Sequence, residues 1–115
     1  MALNDIEKKR TEKAVSAFME KFRPAPHIRP DLDYGYKISD QSIELFEIRP
    51  QWNNPKIRHE SPFAKATFVR TKGKWKVFWK RADLKWHNYS PLPEVKAIED
   101  FLAAVKKDEY HCFFG

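Results

Sequence analysis

Eight cations lie between Phe63 and Tyr89, namely Lys65, Arg70, Lys72, Lys74, Lys76, Lys80, Arg81 and Lys85, and a single acid, Asp83, opposes them. The stretch carries more net positive charge than the whole chain, whose total is +6, so the remainder is close to neutral. It also holds Phe63, Phe68, Trp75, Phe78, Trp79, Trp86 and Tyr89. A localised positive field attracts anions better than the same charge spread evenly. Cations interleaved with rings are the residue types that hold a nucleic-acid strand, the cations against phosphates and the rings against bases. The opposing reading is an ordinary solvated sheet face, on which lysines discourage edge-to-edge aggregation.

Other residues could do acid–base or metal chemistry. Asp83, Lys85, His87 and Tyr89 offer acid, cation and base at alternate positions, and a histidine titrates near neutrality as general catalysis requires. The plainer reading makes Asp83 a turn residue and His87 a partly buried sheet position. Pro30-Asp31 followed by Glu47-Ile48-Arg49 loosely matches the acid, then acid-x-base order of metal-dependent nucleases, whose carboxylates hold a hard cation. Arg49 stands where that pattern takes lysine, and Asp31 falls in a proline-broken segment. His27, His59, His87, His111 and Cys112 show no paired ligand spacing. Cys112, in an aromatic tail, reads as a small buried apolar residue rather than a nucleophile. Gly35, Gly73 and Gly115 cannot form a phosphate-binding glycine loop. No catalysis, metal or cofactor is expected.

A chain of 115 residues suits one domain, 1–115. Its apolar content of 42% is ample for a core, and 33% charged residues indicate a well-solvated surface. No apolar run approaches the roughly 20 residues of a membrane-spanning helix. The N-terminal segment lacks the apolar stretch of a secretory signal. One cysteine excludes an intramolecular disulfide framework, and a cytoplasmic location is the expectation.

Asn4 followed by Glu7 fits a capping box, and Ile6, Ala14, Val15, Phe18, Met19 and Phe22 recur at helical spacing. The spacing predicts a helix from about Asp5 to Phe22, stopped by Pro24 and Pro26. Alternation predicts strands at Tyr34 to Ile38, Ser42 to Arg49, Phe63 to Arg70, Lys74 to Lys80 and Lys85 to Tyr89. The segment Gln51 to Pro62 has no periodicity and reads as a loop of about a dozen residues, a length that is often functional. After Pro91 and Pro93, the residues Val95, Ile98, Phe101, Leu102 and Val105 mark a second helix. The apolar tail from Tyr110 is expected to pack back on the body. The fold class is α+β, one antiparallel sheet of about five strands packed against an N-terminal and a C-terminal helix.

A two-residue Lys72-Gly73 turn would pair Phe68 with Val77 and Ala66 with Trp79. A loop of Arg81 to Leu84 would pair Lys80 with Lys85, Trp79 with Trp86 and Phe78 with His87. Directly opposed residues share a face. One face then holds Ala66, Phe68, Trp75, Val77, Trp79 and Trp86 and is the core side. The other holds Lys65, Lys74, Lys76, Phe78, Lys80, Lys85, His87 and Tyr89, the candidate surface for nucleic acid or another polyanion, with its rings stacking bases. The rival surface is the loop with Arg49, Trp52, Arg58 and His59, since Arg and Trp are enriched among protein-binding hot spots. Against it stands the simpler expectation that Trp52 folds onto the core and tethers the loop.

Several phrases carry a family resemblance: Phe22-Arg23-Pro24, the run Phe46-Glu47-Ile48-Arg49-Pro50-Gln51-Trp52, Ala64-Lys65, the block from Trp75 to Tyr89, and Phe113-Phe114-Gly115. The chain resembles, nearly end to end, a family of small uncharacterised bacterial proteins, domain of unknown function 3024. The resemblance implies a one-domain bacterial protein with no assigned activity, and brings no catalytic or binding residues with it. The functional expectation is therefore a non-catalytic binder of a polyanion, with a protein-interaction module as the alternative and a metal-dependent nuclease behind both.

Overall fold

The first helix forms where the sequence marks it. In the computed structural model, which describes residues 3–108 and 113, α1 spans Asp5–Phe22. The Asn4 side-chain oxygen accepts from the Glu7 N–H at 2.8 Å, and the Glu7 carboxylate accepts from the Asn4 N–H at 2.9 Å. Two otherwise orphaned donors of the first turn are thereby satisfied. The helix stops at Arg23, whose extended backbone suits the residue before Pro24. Val15 and Met19 are buried, whereas Ile6, at the start of the apolar stripe, stays in water.

Six strands follow: β1 Asp33–Ser39, β2 Ser42–Gln51, β3 Asn54–Val69, β4 Lys74–Lys80, β5 Trp86–Asn88 and β6 Glu94–Val95. They form one antiparallel sheet in the order β1-β2-β3-β4-β5, and β6 pairs with β4 on the same edge as β5. The second helix, α2, spans Ile98–Lys107; Val95, expected to open its apolar stripe, instead lies in β6 opposite Trp75. The architecture is α+β, with both helices on one side of the sheet. Helix residues Val15, Met19, Phe101, Leu102 and Val105 share a single cluster with Ile43, Leu45, Ala64, Ala66, Trp75 and Val77. All six sheet residues point to that inner side, and Ile43, Ala66 and Val77 are direct cross-strand partners. Among the described residues, no helix covers the other side.

Two features tie the helical layer to the sheet. Arg70, in the β3–β4 turn, donates to both Glu7 carboxylate oxygens, at 3.0 and 2.8 Å, and holds that carboxyl below its ordinary range. Arg23 grips Asp33 at the start of β1 with two bonds of 2.8 and 2.6 Å. Asp33 is 8% exposed, and the guanidinium lowers its pKa.

The segment Gln51 to Pro62, expected to be a loop, is instead most of a hairpin. β2 turns tightly at Trp52-Asn53, and β3 begins at Asn54. A register shift between Leu45 and Phe46 makes Phe63 an extra residue of β3, and beyond the Ile48–Glu60 pair the two strands leave the sheet as a ribbon. β1 pairs with β2 only as far as Ile48, and β4 pairs with β3 only as far as Ala64.

Both expected registers of β4 are also corrected. The β3–β4 turn contains four residues, Arg70 to Gly73, with Gly73 at φ 62, so Phe68 pairs with Trp75 and Ala66 with Val77. This is a shift of two, and the faces survive it. The β4–β5 loop contains five residues, Arg81 to Lys85, with Leu84 at φ 63. This is a shift of one, and it exchanges the faces of Trp86 and His87. Of the tail only Phe113 is described; it is buried, its ring lies tilted against that of Tyr89 with centroids 4.8 Å apart, and its N–H donates to Asp108. His111 and Cys112 lie outside the described residues.

Candidate functional site

The uncovered side of the sheet brings together Lys65, Lys74, Lys76, Phe78 and Lys80, as expected. Their alternate neighbours Ala64, Ala66, Trp75 and Val77 are all buried. Trp86, opposite Lys80, joins them on this outer face. The Lys65 ammonium lies 4.9 Å from the centre of the Phe78 ring and 4.9 Å from that of Trp86. Lys80 approaches Trp86 from its own strand at 5.4 Å. Each such contact is worth about 0.5–1 kcal/mol at an exposed site. Its second effect is to restrict the lysine side chain, which then loses less freedom when it meets an anion.

Acids enter this face at two places. Lys37 reaches Glu44 at 3.6 Å, in the cross-strand row that continues through Lys65 to Phe78. Glu94, opposite Lys76, accepts from Lys72 at 3.1 Å. That bond, with the nearby charges of Lys74 and Lys76, holds the Glu94 carboxyl below its ordinary range. Lys65, Lys74, Lys76 and Lys80 themselves form no ion pair within 4.0 Å among the described residues.

Three expected members do not belong to the face. Lys85 ends the β4–β5 loop instead of opposing Lys80. His87 pairs with Trp79 on the inner side and bonds the Asp83 carboxylate at 2.9 Å. Tyr89 is 3% exposed, and its backbone N–H donates to Val77 as the chain turns back. The base-stacking role expected of the rings is also altered: Tyr89 is in the core, and Phe78 and Trp86 already carry lysine ammonium groups.

The rival surface is better defined than the sequence suggested. Trp52, expected to fold onto the core, is 92% exposed at the tip of the β2–β3 ribbon. Arg49 pairs with Glu47 at 3.1 Å, and His59 bonds Gln51 at 3.1 Å. Arg58 donates to the Arg29 carbonyl at 2.9 Å and braces the base of the ribbon against the chain between α1 and β1. The four residues therefore lie along one structure but do not converge on one point.

The acid–base candidates are placed as follows. The Lys85 backbone N–H and the His87 ring hold Asp83 below the ordinary carboxylate range. Asp31 is exposed in the turn before β1, and Glu47 is engaged with Arg49. Among the described residues no three His, Cys, Asp or Glu side chains are grouped to hold a metal ion, and no helix is long and apolar enough to cross a membrane.

The family model described as domain of unknown function (DUF3024) matches residues 3–115. The chain belongs to the DUF3024 family. The match includes both helices and every strand, the ribbon with Trp52, and the basic block from Trp75 to Tyr89. No curated protein and no solved structure matches this DUF3024 chain.

Proposed function

We propose that this protein is a non-catalytic binder of nucleic acid or a comparable polyanion, and that the outer sheet face grips its phosphates. The observation that carries the reading is the open outer face, which gathers Lys65, Lys74, Lys76 and Lys80 without an ion-pair partner among the described residues. Lys74, Lys76 and Lys80 project from one face of β4, where their like charges repel, and a row of phosphates relieves that repulsion. Phe78 and Trp86 serve this role as supports for the lysines rather than as stacking platforms.

Binding to a single-stranded oligonucleotide is expected to weaken steeply with salt, with a log–log slope of about −0.7 for each phosphate neutralised. Replacing Lys74, Lys76 and Lys80 together with alanine should flatten that slope by about 2. Titrations at several salt concentrations measure both; an affinity indifferent to salt, or a slope unchanged in the triple variant, contradicts the reading. A protein-interaction module built on Arg49, Trp52, Arg58 and His59 is the second reading, favoured by the exposure of Trp52 alone. It predicts a partner held with little salt dependence.

A further inference from the structure

We propose that the β2–β3 ribbon is a second nucleic-acid contact, in which Trp52 stacks on an unpaired base while the sheet face holds the phosphates. This role rests on the phosphate-binding face proposed above and adds to it a different residue and a different force.

An indole at 92% exposure leaves its ring faces open to a partner, and covering them would be favourable because large apolar rings gain free energy by leaving water. The tip that displays it is pinned. Gln51 donates to the Asn53 side chain, His59 bonds Gln51 at 3.1 Å, and the Lys56 N–H donates to Asn54 at 3.2 Å. A ring held on a braced ribbon loses little freedom on binding, which is what a stacking platform requires.

Position and charge select the partner. The last β3–β4 pair is Ala64 with Trp79, so the ribbon leaves the sheet beside Lys80, Trp86 and the Arg81-to-Lys85 loop. Along β2, from Leu45 opposite Ala64 to Gln51 opposite Asn54, it extends roughly 20 Å at about 3.3 Å per residue. A strand laid along Lys76 and Lys80 therefore runs toward the foot of the ribbon. The ribbon carries Arg49, Lys56 and Arg58 against Glu47 and Glu60; Glu47 is paired with Arg49, so Lys56 and Arg58 supply its remaining positive charge. This continuity of positive charge with the sheet face favours a nucleic acid over a protein pocket for Trp52. An unpaired base suits it because a single indole stacks on any exposed base without needing a sequence.

The test is a titration of the whole chain with oligothymidylate, following both anisotropy and indole emission. Trp52→Ala should lower affinity by roughly 5- to 150-fold while leaving the salt slope unchanged. Trp52→Phe should recover most of that loss, yet lack the oligonucleotide-induced quenching of the exposed indole. Trp52 is 92% exposed and stands outside the core cluster of the described residues, so both variants should melt as the parent does. If Trp52→Ala binds with the parent's affinity and slope, the stacking role is overturned and the phosphate face stands. If the parent shows no binding even at low salt, both roles are overturned, and the ribbon passes to the protein-partner reading.

Discussion

Phe101→Ala is expected to remove about 3–5 kcal/mol of unfolding free energy, the usual cost of deleting a fully enclosed aromatic ring. Phe101 is 0% exposed and sits in α2 among residues of both layers, so the site has no solvent into which to relax. Domains of this kind have about 5–15 kcal/mol in total, so the variant should be near the edge of folding. Phe101→Leu keeps most of the volume and should cost about 1 kcal/mol. Urea unfolding measures both; the midpoint should fall with the slope unchanged. A loss below about 1 kcal/mol for Phe101→Ala would mean that α2 is not seated on the sheet. The distinction between a covered inner face and an open outer face depends on that seating.

Arg23→Ala is expected to cost about 2–3 kcal/mol, below the figure for a fully buried pair because the Arg23 side chain is 37% exposed. The loss comes chiefly from Asp33, which is 8% exposed and would be left charged with the Tyr34 N–H and the nearby charge of Arg29 in place of the bidentate guanidinium. The pH dependence follows from the direction of the Asp33 shift. Its pKa in the folded chain lies below the ordinary 3.8, so the pair stabilises fully above that value and is lost as pH falls through the lowered pKa. The gap in stability between parent and Arg23→Ala should therefore be constant near neutrality and narrow in acid below pH 3.8. Thermal melts across that range measure it. A gap that widens in acid would contradict the assignment.

The helices were legible because their signals are local. The Asn4/Glu7 pair, Pro24 and the stripe from Ile98 to Val105 each act within a turn or two of chain. The faces of β3 and β4 were legible for a different reason. Side-chain parity is unaffected by an error of two residues, so the four-residue turn left the inner and outer sets intact. The same parity is reversed by an error of one. Leu84 takes the left-handed conformation that usually signals glycine or asparagine, so nothing in the residue type marked the longer loop, and Trp86 and His87 changed places.

The ribbon was illegible because periodicity records burial, and residues 52–60 are exposed. Pro50, Pro55 and Pro62 further imitate a loop, although a proline is tolerated where a strand has no neighbour on that side. β6, at two residues, is too short to carry a pattern. In the candidate site Lys65, Lys74, Lys76 and Lys80 could be read from the sequence, whereas Lys85 was misplaced by the one-residue error in the loop. The contacts of Lys65 with Phe78 and Trp86 could not be read, because they depend on the corrected register. Gly35 shows the same limit: a side chain there would meet the Phe46 ring at 2.7 Å on the outer face, a packing constraint visible only once β1 and β2 are paired.

The central claim is that the open sheet face is where nucleic acid binds. Amide chemical-shift mapping of the isotope-labelled chain against a single-stranded oligonucleotide tests it most directly. The largest shifts should fall on Lys65, Lys76, Phe78 and Lys80, continue into the ribbon around Trp52, and spare Phe101 and Val105 of α2. Shifts concentrated on the helices, or none at concentrations where a basic surface would be saturated, would contradict it.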